Sequence, residues 1–101
     1  MSAILSTVTF DKEGFLSDPK AWTRELGEAI AQRDGVSLTE THWKVILYMR
    51  EQYLKEGQTP TVRNITKAGV VTMKEIYDLF PGGPAKIPAK IGGVPKPKGC
   101  I

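Results

Sequence analysis

The last 21 residues set the strongest limit on the fold, because residues 81–101 contain five of the seven prolines and five of the ten glycines. Proline removes a backbone donor and glycine raises the entropy lost on ordering, so neither a long helix nor a central strand is expected there. The same stretch has four lysines and no acidic residue, whereas residues 1–80 hold ten Lys/Arg and all eleven Asp/Glu. The sequence therefore predicts a near-neutral body, residues 1–80, and a flexible C-terminal arm rich in Gly, Pro and Lys, residues 81–101.

The length and the cysteine content exclude several classes of protein. A chain of 101 residues has room for one domain with a modest core and little room for an enclosed catalytic cleft. One cysteine cannot form a disulfide framework, and one histidine with one cysteine cannot build a zinc site. No apolar run approaches the roughly 20 residues of a membrane span, and no signal-peptide pattern is present. We expect a cytoplasmic monomer without metal, cofactor or direct membrane contact.

The body has the hydrophobic patterning of four amphipathic helices, with capping residues such as Asp18, Thr39 and Thr72 at their starts and glycines at their ends. The second helix has a wide apolar stripe, which predicts a central helix covered on several sides. One face is marked by Trp43, Ile46, Leu47, Tyr53 and Leu54, and it is widened by Val45, Tyr48 and Met49. The four helices are expected at residues 19 to 33 or 34, 40 to about 57, about 61 to 68, and 73 to 80.

A short β-hairpin is expected before the helices. Thr7–Phe10 and Phe15–Leu16 read as two strands joined by a turn that contains Gly14. One small hairpin, four helices and short connections predict a mainly α (α+β) fold, a small helical bundle with an N-terminal β-hairpin.

The only cysteine, Cys100, is the residue before the C-terminus. A thiol at such a position can enter a partner's site, which is what a sulfur carrier requires, and the thiolate is the reactive form. Lys96 and Lys98 favour the thiolate, whereas the C-terminal carboxylate opposes it, so the direction of the pKa shift stays open. A surface cysteine without a function is the alternative, because an exposed thiol is open to oxidation. Placement alone leaves both interpretations open.

The helix pair at residues 61–80 has the layout of a helix-turn-helix, which raises DNA binding as an alternative. A recognition helix generally presents Arg, Lys, Asn or Gln to the bases. Here the second helix carries Glu75, Asp78 and a single basic residue, Lys74. Two packed core helices are therefore favoured over a DNA-binding unit. His42 lacks a second histidine at ligand spacing, so a structural or surface role is favoured for it.

Two stretches near the C-terminus form a specific pattern: KEIYDLFPGGPAK at residues 74–86 and GVPKPKGCI at residues 93–101. The pattern resembles the DsrC/TusE family of sulfur-relay proteins. The expected hairpin, the tryptophan-containing helix pair and the TPTVR segment at residues 59–63 also fit the layout of that family, so the resemblance covers essentially the whole chain. It implies an orthogonal helical bundle with a small β-hairpin and a mobile C-terminal arm.

The resemblance also implies a function for the cysteine. Within the family the penultimate cysteine accepts sulfur as a persulfide and passes it on, a role that falls on Cys100. Members that serve dissimilatory sulfite reductase have a second cysteine eleven positions earlier, where this chain has Ala89. This difference favours the single-cysteine, TusE-like branch, whose members relay sulfur toward the 2-thiouridine of tRNA or act in cytoplasmic sulfur oxidation. Such a protein is a sulfurtransferase-type carrier rather than a stand-alone enzyme.

The partners implied by the resemblance are an upstream persulfide-donating sulfurtransferase, TusBCD- or DsrEFH-like, and a downstream sulfur acceptor. We expect Lys90, Lys96 and Lys98 to steer the arm to an acidic partner surface, and Arg63 to hold the docked arm. The alternative function is a DsrC-like regulatory or interaction protein that binds DNA or docks to a partner without sulfur transfer.

Glycines within the arm are expected to act as hinges. Gly92, Gly93 and Gly99 would let the arm swing, and residues 92–100 fully extended would span about 30 Å. A reach of this size is enough to enter a cavity of a partner.

Overall fold

The computed structural model describes residues 3–96, and within that stretch it contains five α-helices. A 3₁₀ helix at Ala3–Thr7 and another at Pro19–Ala21 precede them. None of the described helices is both long and apolar enough to cross a membrane. The mainly helical fold is thereby confirmed. The five helices are α1 (Arg24–Arg33), α2 (Glu40–Glu56), α3 (Val62–Lys67), α4 (Met73–Leu79) and α5 (Lys86–Ile91).

The core forms around α2 and α5. Helix α5 packs against both α1 and α2, while α3 packs against α2 and α4. The part of α2 that faces these helices is fully covered, whereas Leu47 and Leu54, which we expected on the covered face, are exposed. The apolar stripe of α2 is therefore narrower than its sequence predicts, because no described helix covers that side. The largest fully buried side chains are Phe15, Phe80, Leu26, Ile30, Ile46, Met49, Ile65, Ile76, Ile91, Val45, Val94 and Pro88.

Three helices begin with the same local device, a capping box built on a threonine N-cap. The hydroxyls of Thr39, Thr61 and Thr72 accept a hydrogen bond from the backbone N–H three residues later, which satisfies a donor that the helix leaves unpaired. In α4 the Thr72 N–H donates to the Glu75 carboxylate at 2.8 Å and lowers the pKa of that carboxyl. The caps expected at Thr39 and Thr72 are confirmed. They could be predicted because the interaction is local in sequence.

His42 completes the cap of α2 and ties it to α4. The Thr39 N–H donates to Nδ1 of His42 at 3.1 Å, which leaves the ring proton on Nε2. The Nε2–H donates to the carbonyl of Leu79 at 3.0 Å, and the ring packs edge-on against Phe80. With both ring nitrogens engaged, this buried histidine has the structural role that the sequence favoured.

The first helix starts later than predicted. Asp18 caps the 3₁₀ helix by accepting from Lys20 N–H, and the chain then extends at Trp22, where ψ is 140°. Thr23 caps α1 instead, accepting from Leu26 N–H at 3.1 Å. The break has a tertiary cause, since it lets the Trp22 indole reach the carbonyl of Ile91 across the core.

The predicted N-terminal hairpin is wrong. Within residues 3–96 the structure contains no strand, and the only trace of pairing is one antiparallel bridge between Phe10 and Leu16. The Asp11 carboxylate accepts from the N–H groups of Glu13 and Phe15, both at 2.9 Å, and so closes a loop. Phe15 and Leu16 then turn into the core. The second segment is too short for a ladder of pairs.

The predicted start of the arm at residue 81 also needs correction. Residues 83–85, 88–89 and 91–94 are buried, and α5 lies within the stretch that we expected to be an arm. Pro88 is the third residue of α5, in the first turn, where a missing N–H costs no intrahelical bond. The body therefore extends to Val94, and we name residues 95–101 the terminal segment.

Replacing Gly93 by alanine should destabilise the fold strongly. Its φ is +67°, and a Cβ there would lie 2.5 Å from Cδ1 of Trp22. Backbone strain of about 1–2 kcal/mol and overpacking of about 1–3 kcal/mol add to an expected loss of about 2–5 kcal/mol in the free energy of unfolding, measured by urea denaturation.

Gly57 supplies the matched control. Its φ is +77°, but a Cβ there would meet nothing within 4 Å, so Gly57→Ala should cost only the backbone strain, about 1 kcal/mol. Equal losses for the two variants would show that the contact with Trp22 is not tight.

Candidate functional site

The site that the structure shows is the place where the terminal segment is attached. Cys100 and Lys98 lie outside the described residues, which end at Lys96. Among residues 3–96 no three His, Cys, Asp or Glu side chains form a group that could hold a metal ion. The described residues therefore bear on the cysteine through the way in which they hold the start of the terminal segment.

The C-terminus of α5 ends in a Schellman motif. Val94 N–H donates to the carbonyl of Ala89 at 3.1 Å, and Gly93 N–H donates to the carbonyl of Lys90 at 3.2 Å. Gly93 has the left-handed φ that this motif requires, and Val94 and Ala89 are both fully buried. The expectation that Gly92 and Gly93 act as hinges is wrong, because the motif and its packing fix both.

Fixing the chain at Val94 shortens the reach of the cysteine. Cys100 lies six positions after Val94, and six residues fully extended span about 20 Å. The corrected reach is about two thirds of the 30 Å expected for a swing that begins at residue 92. A partner must therefore approach close to the end of α5 to meet the thiol.

Two side chains take the carbonyls that the Schellman motif leaves unpaired. Trp22 Nε1–H donates to the carbonyl of Ile91, and Arg50 Nη1–H donates to the carbonyl of Gly92, each at 2.8 Å. The Arg50 guanidinium also lies 4.4 Å from the centre of the Trp22 ring, within the range of a cation–π interaction. We name Trp22 and Arg50 the carbonyl clamp.

Arg50 is half-buried, and its charge is not matched by an acid nearby. Within residues 3–96 no carboxylate lies at ion-pair distance from its guanidinium. Burial lowers the pKa of Arg50, because leaving water disfavours the charged form, yet a guanidinium stays protonated in proteins. The positive charge is held by the Gly92 carbonyl and the face of Trp22.

The first two residues of the terminal segment lie between two loops. The Thr59 hydroxyl donates to the carbonyl of Pro95 at 2.7 Å, and the Lys96 ammonium lies 3.3 Å from the carboxylate of Glu13. A cleft of about 240 Å³ opens beside them, at the junction of α2 and α3. Its lining residues are Tyr53, Gly57, Gln58, Thr59, Thr61, Asn64, Pro95 and Lys96.

The structure brings Lys90 and Lys96 to the same loop, residues 11–14. Lys90 Nζ lies 4.0 Å from Asp34 and over the ring of Phe15, and it is also a neighbour of Gly14. Arg33, which the sequence did not single out, donates to the carbonyl of Gly14 at 3.2 Å. The cations at this end of α5 thus form a cluster with two acids among them.

Arg63 is not part of this cluster. It lies in the first turn of α3 between Thr61 and Asn64, which line the cleft, but its own side chain is exposed and does not line it. The structure therefore does not bring Arg63 together with Lys90 and Lys96.

Comparison with known proteins identifies the family. Residues 5–101 match the family model described as DsrC like protein. The chain belongs to the DsrC-like protein family. It is 43% identical to the sulfurtransferase TusE of Buchnera aphidicola subsp. Acyrthosiphon pisum over 98 residues, which are 90% of this chain and 86% of that one.

Solved structures of DsrC share the fold of this DsrC-like protein. The NMR structure of Allochromatium vinosum DsrC is 38% identical, with a TM-score of 0.82, covering 93% of this chain and 90% of that one. The crystal structure of the oxidized gamma-subunit of the dissimilatory sulfite reductase (DsrC) from Archaeoglobus fulgidus is 39% identical, with a TM-score of 0.82, covering 93% and 92%. The family resemblance seen in the sequence is confirmed.

Ala89 is fully buried in this DsrC-like protein, in the middle of α5. It stands where the resemblance places the second cysteine of the reductase-associated members. Since Cys100 is the only cysteine, one chain of this protein cannot form a disulfide within itself. Any redox or transfer chemistry must involve a second molecule.

Sequence reasoning missed three polar contacts at the attachment: those of Trp22, Arg50 and Thr59. A signal was present for the clamp, because Arg50 lies four residues after Ile46 on the apolar side of α2, and a charge at such a position needs a partner. The indole N–H of a tryptophan assigned to the core needs an acceptor as well. Neither signal names the acceptor, which is remote in sequence.

Replacing Glu13 by glutamine should change stability very little. The Lys96–Glu13 pair is exposed, with side-chain exposures of 44% and 46%, and exposed pairs contribute about 0–1 kcal/mol. We expect the free energy of unfolding, measured by urea denaturation, to fall by less than about 0.5 kcal/mol. A pair this weak lets Lys96 exchange Glu13 for an acidic residue of a partner. A loss well above 1 kcal/mol would mean that this pair holds the terminal segment to the body.

Proposed function

We propose that this DsrC-like protein is a sulfur carrier that accepts sulfur as a persulfide on Cys100 and passes it to a partner. The observation that carries the proposal is the position of the chain's only thiol, six residues beyond the fixed point at Val94, in a chain that belongs to the DsrC-like family. Relatives named sulfurtransferase TusE and DsrC support sulfur relay over the regulatory alternative.

The transfer conserves atoms and electrons without a further reactant. The Cys100 thiolate attacks the outer sulfur of a donor persulfide, and a new S–S bond forms between these two sulfur atoms. The S–S bond of the donor breaks, and its electron pair leaves with the donor cysteine as a thiolate. The proton on the outer sulfur remains there or is lost to water, and the reverse chemistry at an acceptor returns Cys100 to the thiolate.

Lysines near the cysteine favour an acidic partner surface. Lys96 is exposed and paired only with the exposed Glu13 among the described residues, and Lys98 is two residues from Cys100. An acidic partner can take the place of Glu13 at little cost, so we assign Lys96 and Lys98 the role of partner contacts. Lys90 is half-buried beside Asp34, so we assign it a smaller role in steering. For Arg63 no described contact supports a role at the docked segment.

Membership of the family also suggests which proteins donate and accept the sulfur. We infer an upstream sulfurtransferase of the TusBCD or DsrEFH type as the persulfide donor. The acceptor belongs to a tRNA 2-thiouridine relay or to a sulfur-oxidation route. The absence of a second cysteine favours a role other than the intramolecular disulfide chemistry of reductase-associated members.

DNA binding with α4 as the recognition helix finds no support in the described surface. The residues that α4 exposes include Lys74, Glu75 and Asp78, so acids outnumber bases among the charged groups. Glu75 also stays ionised to lower pH because its cap lowers its pKa. Such a face repels phosphates rather than attracting them.

The first test is persulfide uptake measured by intact mass. Incubation with glutathione persulfide should add about 32 Da, one sulfur atom, to the wild-type chain, and dithiothreitol should remove it. Cys100→Ser should gain nothing, since it lacks the nucleophile, and should unfold at the same temperature as the wild type. Equal uptake by the two proteins would reject the assignment of Cys100, and no uptake by either would favour a docking or regulatory protein.

A further inference from the structure

The carbonyl clamp satisfies two carbonyls at the buried C-terminal end of α5. Helix ends leave carbonyls unpaired, and solvent can satisfy them at an exposed end. Here two side chains from other parts of the chain, Trp22 and Arg50, donate hydrogen bonds to the carbonyls of Ile91 and Gly92, each at 2.8 Å.

The ring of Trp22 is itself fixed by glycines on two sides. A Cβ at Gly27 would lie 2.9 Å from Cζ2 of Trp22, and one at Gly93 would lie 2.5 Å from Cδ1. Only glycine fits at these two positions without displacing the ring. Arg50 lies over the ring at 4.4 Å, so the donor that reaches Ile91 has little freedom to turn.

The clamped carbonyls come directly before the terminal segment. Gly92 is followed by Gly93 and the buried Val94, and Pro95 is exposed and bonded through its carbonyl to Thr59. The orientation of the two peptide planes after Ile91 therefore sets the direction of the chain at Pro95. The two residues between them are held as well, because Gly93 N–H and Val94 N–H donate to the carbonyls of Lys90 and Ala89 and Val94 is fully buried.

We propose that Trp22 and Arg50 are positioning residues, which set the direction of the terminal segment and so the region in which Cys100 meets a partner. The inference rests on the proposed role of Cys100 for its functional meaning, though its geometry does not. A change in the direction of the chain at Pro95 shifts the region that Cys100 can reach, which extends at most about 20 Å from Val94. Displacements much smaller than this are enough to slow a transfer that requires aligned sulfur atoms.

The test measures where Cys100 lies relative to the body. A nitroxide label is attached to Cys100, the only thiol, and paramagnetic broadening is recorded on the backbone amides of the ¹⁵N-labelled chain. In the wild type we expect broadening concentrated on one side of the body, near the residues 11–14 and the α2–α3 junction. Trp22→Phe and Arg50→Met each lose one hydrogen-bond donor. In each variant we expect the number of broadened amides to at least double.

Matched variants separate positioning from stability. Arg24 lies 4.4 Å from the centre of the Trp43 ring but is bonded to no carbonyl of α5, so Arg24→Met loses a comparable cation–π contact and should leave the broadening map unchanged. Arg50→Lys keeps the charge and a donor, and should restore most of the wild-type map. Trp22→Phe keeps an aromatic ring and carries the test if Arg50→Met does not fold.

Each outcome decides the proposal independently of sulfur transfer. Uniform broadening in the wild type, or maps for Trp22→Phe and Arg50→Met that match the wild type, would overturn it. A change as large in Arg24→Met would also overturn it, since the effect would then follow stability rather than the carbonyls. Loss of persulfide uptake in the separate mass measurement rejects the carrier function while the map still reports on the clamp.

Discussion

The hydrogen bond from Trp22 to the carbonyl of Ile91 is the constraint on which the rest of the structure depends. It joins residues 69 positions apart in the chain and determines several local features at once. The first helix breaks at Trp22 so that the indole can reach α5, and Thr23 caps α1 for that reason. Helix α5 then packs between α1 and α2, the two longest helices.

Glycines at the attachment follow from this contact rather than from flexibility. Gly93 gives the Schellman motif its positive φ and leaves room for the Trp22 ring, and Gly27 leaves room on the other side. Gly57 has a similar φ at the end of α2, yet nothing lies close to it. The same residue type thus ends two helices for different reasons, and a Gly-Gly pair beside prolines does not by itself indicate a hinge.

Local signals predicted most of the helices, and remote contacts account for the errors. The caps at Thr39 and Thr72 and the end at Gly57 involve residues within five positions of one another, so the sequence indicates them directly. The hairpin failed because an Asp11 loop competes with strand pairing, and α5 was missed because Pro88 looks like a helix breaker although the first turn tolerates it. For the site, the motif at residues 93–101 indicated the cysteine and its family, whereas the clamp required knowledge of which carbonyls α5 leaves free.

A short carrier segment on a rigid base suits sulfur transfer better than a long swinging arm. A persulfide exposed to small thiols is lost by exchange, so the carrier gains from handing sulfur on only where a partner is already docked. With the chain fixed at Val94, the thiol is confined to about 20 Å around the end of α5, and the effective concentration at a site docked there rises as the segment shortens. Under the proposed function the partner must then contact the body as well as the segment. Specificity in the proposed relay therefore comes from the body to which the terminal segment is attached, while the cysteine supplies the chemistry.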